Sequence, residues 1–291
     1  MQLLNSCVKY ELEKRVLAAV VLSLQPHPHI SILDLYGEYP DDSGRYMSGE
    51  IHKSLMELPQ LQYLNLTSNY FQDTHIPEFL ASLKNLKYLD LSELDLRGNY
   101  ITGTLSDISV FSSLKSLFLD ENRLSGIIPE GVKLPSTLED LSVWSNFLDG
   151  GIPKSFGNAC SLFSLDIIDN GLSDDLPMII SHLSGCTRYS LQELRLNMNQ
   201  TNGTLPDFSI FISLKVLYLR NNQLNGEIPM DIQLPPKLEE LFINSNSLKG
   251  LLTDYHFSNM SKLEYLDLSD NSLGLAFTQN WIPLFNCYLY T

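Results

Sequence analysis

From Leu61 onward one frame, L-x-x-L-x-L-x-x-N-x-L, recurs along almost the whole chain, and no other feature constrains the fold as tightly. Its first copy reads Leu61-Gln-Tyr-Leu64-Asn-Leu66-Thr-Ser-Asn69-Tyr-Phe71, and it returns from Leu114, Leu138, Leu162, Leu191, Leu214, Leu238 and Leu263. After Asn69 the frame's asparagines are Asn99, Asn122, Asn146, Asn170, Asn199, Asn222, Asn246 and Asn271; six of the seven intervals between these eight are 23 to 25 residues. Chance does not space residues this way. Residues 101–150 also match residues 201–250 at about half of positions, so a block of repeats has been duplicated.

Each position of the frame has a physical task. The leucines of L-x-L alternate with polar residues, so a short strand turns one side inward and the other to solvent. A single repeat cannot bury its leucines, whereas stacked neighbours share one core. The asparagine sits where the chain leaves the strand, and its amide is expected to bond backbone groups of adjacent turns in a ladder. After it several repeats continue L-x-G-x-I-P, as in Leu124-Ser-Gly126-Ile-Ile128-Pro129 and Leu224-Asn-Gly226-Glu-Ile228-Pro229. Glycine permits a sharp bend there, and proline forbids ladder pairing beyond it.

The combined motif resembles the plant-specific extracellular leucine-rich repeat over about residues 30–275. The resemblance implies an α/β repeat solenoid, a leucine-rich-repeat horseshoe or superhelix with a parallel concave β-sheet and an irregular or 3-10 convex side. Segments Gly49–Leu66 and Ile76–Ser92, and Cys7 followed by Glu-x-x-Arg-x-Leu, resemble the opening of plant receptor-like proteins of the fungal-xylanase-receptor group. That resemblance implies a ligand-binding ectodomain on the outer face of the plasma membrane. It would act in defence or developmental signalling, bind a peptide, protein or glycan on its concave face, and signal through a partner receptor kinase. The alternatives are a secreted cell-wall enzyme inhibitor similar to polygalacturonase-inhibiting proteins, or a non-functional gene fragment.

The resemblance divides the chain into an incomplete N-terminal cap over residues 1–29, an array of about ten repeats over 30–275 and a truncated tail over 276–291. Leu89-Asp-Leu91 and Leu94-Asp-Leu96 read as two fused strands, so the repeat near 89–99 is expected to be truncated. Together these departures are expected to reflect a truncated gene. Val16–Leu24 is the longest apolar run, too short to span a bilayer and without a clear signal peptide around it; a short amphipathic helix is the expectation.

Against 34 acidic residues stand 19 basic ones, which argues against nucleic-acid binding and against docking on anionic membranes. No phosphate loop, kinase signature or paired catalytic carboxylates stand out, so neither an enzyme nor a cofactor is expected. His27 and His29 flank Pro28, and metal binding is not expected there.

Two outward columns cross the expected strand face. The first reads Asn65, Phe118, Ser142, Asp166, Arg195, Tyr218, Phe242 and Asp267; the second reads Thr67, Asp120, Trp144, Ile168, Asn197, Arg220, Asn244 and Ser269. Aromatic and arginine side chains supply most interface hot spots. The candidate ligand-binding residues are therefore Phe118, Asp120, Trp144, Asp166, Arg195, Tyr218, Arg220 and Phe242. Cys160 and Cys186 lie in adjacent return segments, able to form a disulfide or to remain two buried thiols, whereas Cys7 and Cys287 have no evident partner. Among the N-x-[S/T] sequons, Asn65, Asn202 and Asn259 are glycosylation candidates, and Asn199 is expected to be hidden in the ladder.

Overall fold

The computed structural model describes residues 7–9, 29–37, 46–71, 75–92, 99–258 and 260–279. They form two compact units. The first takes in the described residues up to Gly126 together with Val132–Phe147; the second consists of Ile127–Gly131 and the described residues from Leu148 onward.

In the first unit the strands Cys7–Lys9, Ile32–Asp34, Tyr63–Asn65, Tyr88–Asp90, Ser116–Phe118 and Asp140–Ser142 run parallel, each paired with the next. The second unit repeats the arrangement with Ser164–Asp166, Glu193–Arg195, Val216–Tyr218, Glu240–Phe242 and Tyr265–Asp267. Central leucines such as Leu64, Leu117, Leu194 and Leu217 are fully buried, as the alternation requires.

Eight of these strands end in the same turn. Ser68, Glu121, Ser145, Asp169, Met198, Asn221, Ser245 and Asp270 take a left-handed conformation with φ between 52° and 58°, and each directly precedes a ladder asparagine. A side chain disfavours that conformation, and the asparagine holds it in place. Asn246 Nδ2 donates to the carbonyls of Leu219, Ile243 and Asn244 at 3.0, 3.1 and 3.2 Å, while its Oδ1 accepts the Leu224 N–H at 3.0 Å. Asn122, Asn146, Asn199, Asn222 and Asn271 repeat this set on their own turns. Asn69 and Asn170 occupy the same position, with Oδ1 accepting the N–H of Met47 and Leu148.

The L-x-G-x-I-P segments form further short parallel strands. In the first unit Thr102–Gly103 pairs with Arg123–Leu124; in the second, Asn202–Gly203, Gln223–Glu227, Ser247–Thr253 and Ser272–Ala276 make a four-stranded sheet. Several return segments are 3-10 turns, Lys53–Glu57 and Lys154–Asn158 among them. The 29-residue interval between Asn170 and Asn199 instead holds an α-helix, Leu176–Leu183, capped by Asp175 accepting the Met178 N–H at 3.4 Å. Its backbone crosses the preceding 3-10 turn so closely that a Cβ on Gly157 would lie 2.2 Å from the His182 carbonyl oxygen, and one on Gly185 2.1 Å from that of Gly157. Beside this crossing a disulfide joins Cys160 to Cys186, with their Cα atoms 4.9 Å apart.

Near residues 89–99, Tyr88–Asp90 pairs in register with both Tyr63–Asn65 and Ser116–Phe118. Asn99 reaches the Leu91 and Ser92 carbonyls eight and seven residues back, where Asn122 reaches three and two residues back. Leu89 and Leu91 are fully buried, and the second L-x-L, Leu94 and Leu96, lies outside the described residues. The cap expected over residues 1–29 contributes Cys7–Lys9 as a strand of the sheet, and the helix expected at Val16–Leu24 lies outside the described residues. So do Cys287, Asn259 and most of the 276–291 tail.

Candidate ligand-binding surface

The outward residues of the three-residue strands stand in columns because the strands pair without stagger. In the first unit this brings Tyr63 and Tyr88 into a parallel stack, with ring centroids 4.2 Å apart and planes 8° from parallel, and sets Tyr88 5.4 Å from Phe118. Burial pushes the Tyr63 phenol above its ordinary range, and pushes that of Tyr88 further, with the Asp90 carboxylate adding to the effect; Tyr88 donates its hydroxyl hydrogen to Asp90 at 3.1 Å. Asp120 accepts the Trp144 main-chain N–H at 2.8 Å and the Ser142 hydroxyl, and Trp144 is 36% exposed.

In the second unit the register aligns Asp166 with Arg195, Arg195 with Tyr218 and Tyr218 with Phe242. The Arg195 guanidinium pairs with Glu193 and lies 5.5 Å from the Tyr218 ring centroid. Tyr218 meets Phe242 edge to face at 4.8 Å and donates its hydroxyl hydrogen to Glu240. Burial, and then that bond to a carboxylate, raise the Tyr218 phenol to about 12. Asp166 is pushed up by burial, which outweighs the Ile168 N–H at 3.0 Å and the nearby Arg195 charge. Arg220 is exposed, and its guanidinium has no hydrogen bond or ion pair among the described residues.

Of the candidate residues, Phe118, Asp120 and Trp144 therefore fall on the first unit, and Asp166, Arg195, Tyr218, Arg220 and Phe242 on the second. A third column, one residue before the central leucine, escaped the sequence reading. It supplies Tyr63, Tyr88, Glu193 and Glu240, and the signal was available: these residues flank the same leucines at period two. The sequons separate as well. Asn199 is buried with its amide in the ladder, whereas Asn65 and Asn202 are half-buried, with Asn65 on a concave strand and Asn202 bonded to the Ser173 carbonyl at 2.8 Å.

A family model described as Leucine Rich Repeat matches residues 60–83, 113–134, 213–234 and 262–287, the same frame that builds the strands and ladder. The chain belongs to the leucine-rich-repeat proteins. It is 32% identical to receptor-like protein 35 of Arabidopsis thaliana, over 79% of this chain and 24% of that protein. To receptor-like protein EIX2 of Solanum lycopersicum it is 32% identical, over 68% of this chain and 30% of that protein. This leucine-rich-repeat chain thus spans less than a third of the receptor-like proteins it matches. Among solved structures it is similar to the plant peptide hormone receptor RGFR1 in complex with RGF2, at a TM-score of 0.61 and 26% identity, covering 86% of this chain and 41% of that one. Among the described residues no helix is long and apolar enough to cross a membrane, and no three His, Cys, Asp or Glu side chains group to hold a metal ion.

Proposed function

We propose that the chain is part of the ligand-binding ectodomain of a plant receptor-like protein, acting in defence or developmental signalling. It binds a peptide or protein segment along the concave strands of the second unit and works by recognition rather than catalysis. The observation that carries this reading is Arg220, an exposed cation without a partner among the described residues, standing in the column next to Arg195, Tyr218 and Phe242. Arg195 is already neutralised by Glu193, so Arg220 is the group that receives an acidic side chain or terminus of the ligand. Tyr218 and Phe242 offer a rigid aromatic edge to an apolar one. The disulfide fits an oxidising, extracellular setting. Signalling is supplied by a partner receptor kinase.

A second reading, a secreted inhibitor of a cell-wall enzyme, draws on the first unit, where Asp34, Asp90 and Asp120 accompany Tyr63, Tyr88 and Phe118 on one face suited to a basic protein. One experiment tests both. The chain is panned against a displayed peptide library, and selected binders are measured against Arg220→Ala and Tyr88→Ala. Loss of affinity by about 30-fold or more with Arg220→Ala, a hot-spot effect, supports the receptor reading. Binders that are basic and depend on Tyr88 alone favour the inhibitor.

A further inference from the structure

The residues that directly follow the ladder asparagines form a row of their own beside the ladder. Main-chain bonds hold it in line. The N–H groups of Tyr70, Tyr100 and Arg123 donate to the carbonyls of Met47, Phe71 and Ile101 at 2.8, 3.1 and 2.9 Å. Each acceptor is the residue after the preceding row member, so Tyr46, Tyr70, Tyr100 and Arg123 stack across successive repeats of the first unit. Phe147 takes the same frame position in the repeat after Arg123. The second unit builds this row from Gly171, Gln200, Gln223, Ser247 and Ser272, and Gln200 and Gln223 donate in the same way to Leu172 and Thr201 at 2.8 and 2.9 Å. The frame thus folds without aromatic side chains at this position, and those of the first unit call for a role outside folding.

The row is one chain of ring contacts that ends in a cation. Tyr46 meets Tyr70 at 6.2 Å and Tyr70 meets Tyr100 at 5.8 Å, both edge to face. The Arg123 guanidinium lies over the Tyr100 ring, 3.8 Å from its centroid. The ring restricts where that guanidinium can lie, so little freedom is lost when it pairs with a second group. Arg123 is exposed and has no hydrogen bond or ion pair among the described residues, in a chain where 34 acidic residues stand against 19 basic ones. On its other side in the row Phe147 is 64% exposed. Tyrosine, phenylalanine and arginine without aspartate, glutamate or lysine is the composition of an interface core.

We propose that this row docks an extended peptide segment of a partner protein, one that sets a carboxylate between two apolar side chains. The carboxylate pairs with Arg123, one apolar side chain packs on the Tyr70 and Tyr100 rings, and the other packs on Phe147. Charge complementarity selects this occupant. Arg123 carries the only charge in the row, so a basic segment gains no partner there, and a polyanion is repelled by the net charge of −15. Residues two apart in an extended strand face the same way, so the three groups come from positions i, i+2 and i+4 of the segment. This surface belongs to the first unit and does not rest on the reading of Arg220.

The test is a titration of the whole ¹⁵N-labelled chain with the acetylated, amidated peptide Phe-Ser-Asp-Ser-Phe, and with Phe-Ser-Asn-Ser-Phe as the analogue lacking the charge, read at the Arg123 Nε–H by NMR. The aspartate peptide is expected to move that resonance saturably and to bind about tenfold tighter than the asparagine one, the scale of a hydrogen bond to a charged group. Arg123→Gln is expected to abolish the preference while leaving the thermal midpoint in place, because the side chain is exposed. Phe147→Ala is expected to weaken both peptides several-fold, and Arg220→Ala to change neither. Equal binding of the two peptides, no binding, or a preference that survives Arg123→Gln overturns the proposal. A preference lost with Arg220→Ala overturns it as well, since the peptide would then sit on the concave face of the second unit.

Discussion

The concave strands of the first unit line up Tyr63, Tyr88 and Phe118 beside Asp34, Asp90 and Asp120, whereas those of the second set Arg195 and Arg220 among Asp166, Glu193 and Glu240. Both units bury the same leucines and hang the same asparagines on the same left-handed turns. The outward columns touch no core, so nothing in folding ties them together, and two copies of one frame present different chemistry. Their return sides differ too. The second unit carries the α-helix Leu176–Leu183 and the Cys160–Cys186 disulfide, while the return segments of the first include the 3-10 turns Lys53–Glu57 and Glu78–Ser82 and carry no α-helix or cross-link among the described residues.

The largest expected effect separates the units by that cross-link. Cys160 and Cys186 are 26 residues apart, and closing a loop of this size stabilises by about 3–4 kcal/mol in the chain-entropy account. Replacing both with alanine should speed hydrogen exchange in the second unit and leave the first unchanged. Equal acceleration in both would show that they unfold together.

Next in size is the ladder. Asn246→Ala removes a side chain that makes four hydrogen bonds and should destabilise its unit by roughly 1–3 kcal/mol in chemical denaturation. Asn99→Ala should cost less. Its Oδ1 is buried without a partner among the described residues, and its own-turn bonds are 3.2 and 3.3 Å. Equal losses at the two sites would mean that the two asparagines hold their turns equally well.

The smallest effects are on pH dependence. Burial raises the folded-state pKa of Asp166, so the folded second unit holds that proton more tightly than the unfolded chain. The stability this confers is present below the unfolded value of about 3.9 and is lost as pH rises through the raised one. Asp166→Asn should therefore raise the thermal midpoint at neutral pH and flatten the acid limb. Tyr218 works at the other end. Its contribution is complete below the unfolded value of about 10 and is lost as pH climbs through about 12. Tyr218→Phe should flatten that alkaline window in the second unit alone. A change confined to the first unit would break the comparison.

Much of the fold was legible because the repeat is local. A leucine every second residue, an asparagine three residues after the last of them and a glycine–proline segment are each decided within one turn, and stacking multiplies them. At residues 89–99, where two L-x-L strings stand side by side, the strand of the sheet is Tyr88–Asp90, paired with both of its neighbours. Among the candidate site residues, the columns were readable from period two, but their partners were not. That Arg195 pairs with Glu193 on its own strand while Arg220 has no partner among the described residues depends on side-chain rotamers.

The sequence by itself determined the repeat, its inward leucines, the ladder positions and the charge balance, because these follow from periodicity and composition. Tertiary structure alone decided that the array parts into two compact units and that Cys160 meets Cys186 across a glycine crossing. These depend on which segments of different repeats come within ångströms of one another, a matter of packing that no single turn of the chain encodes.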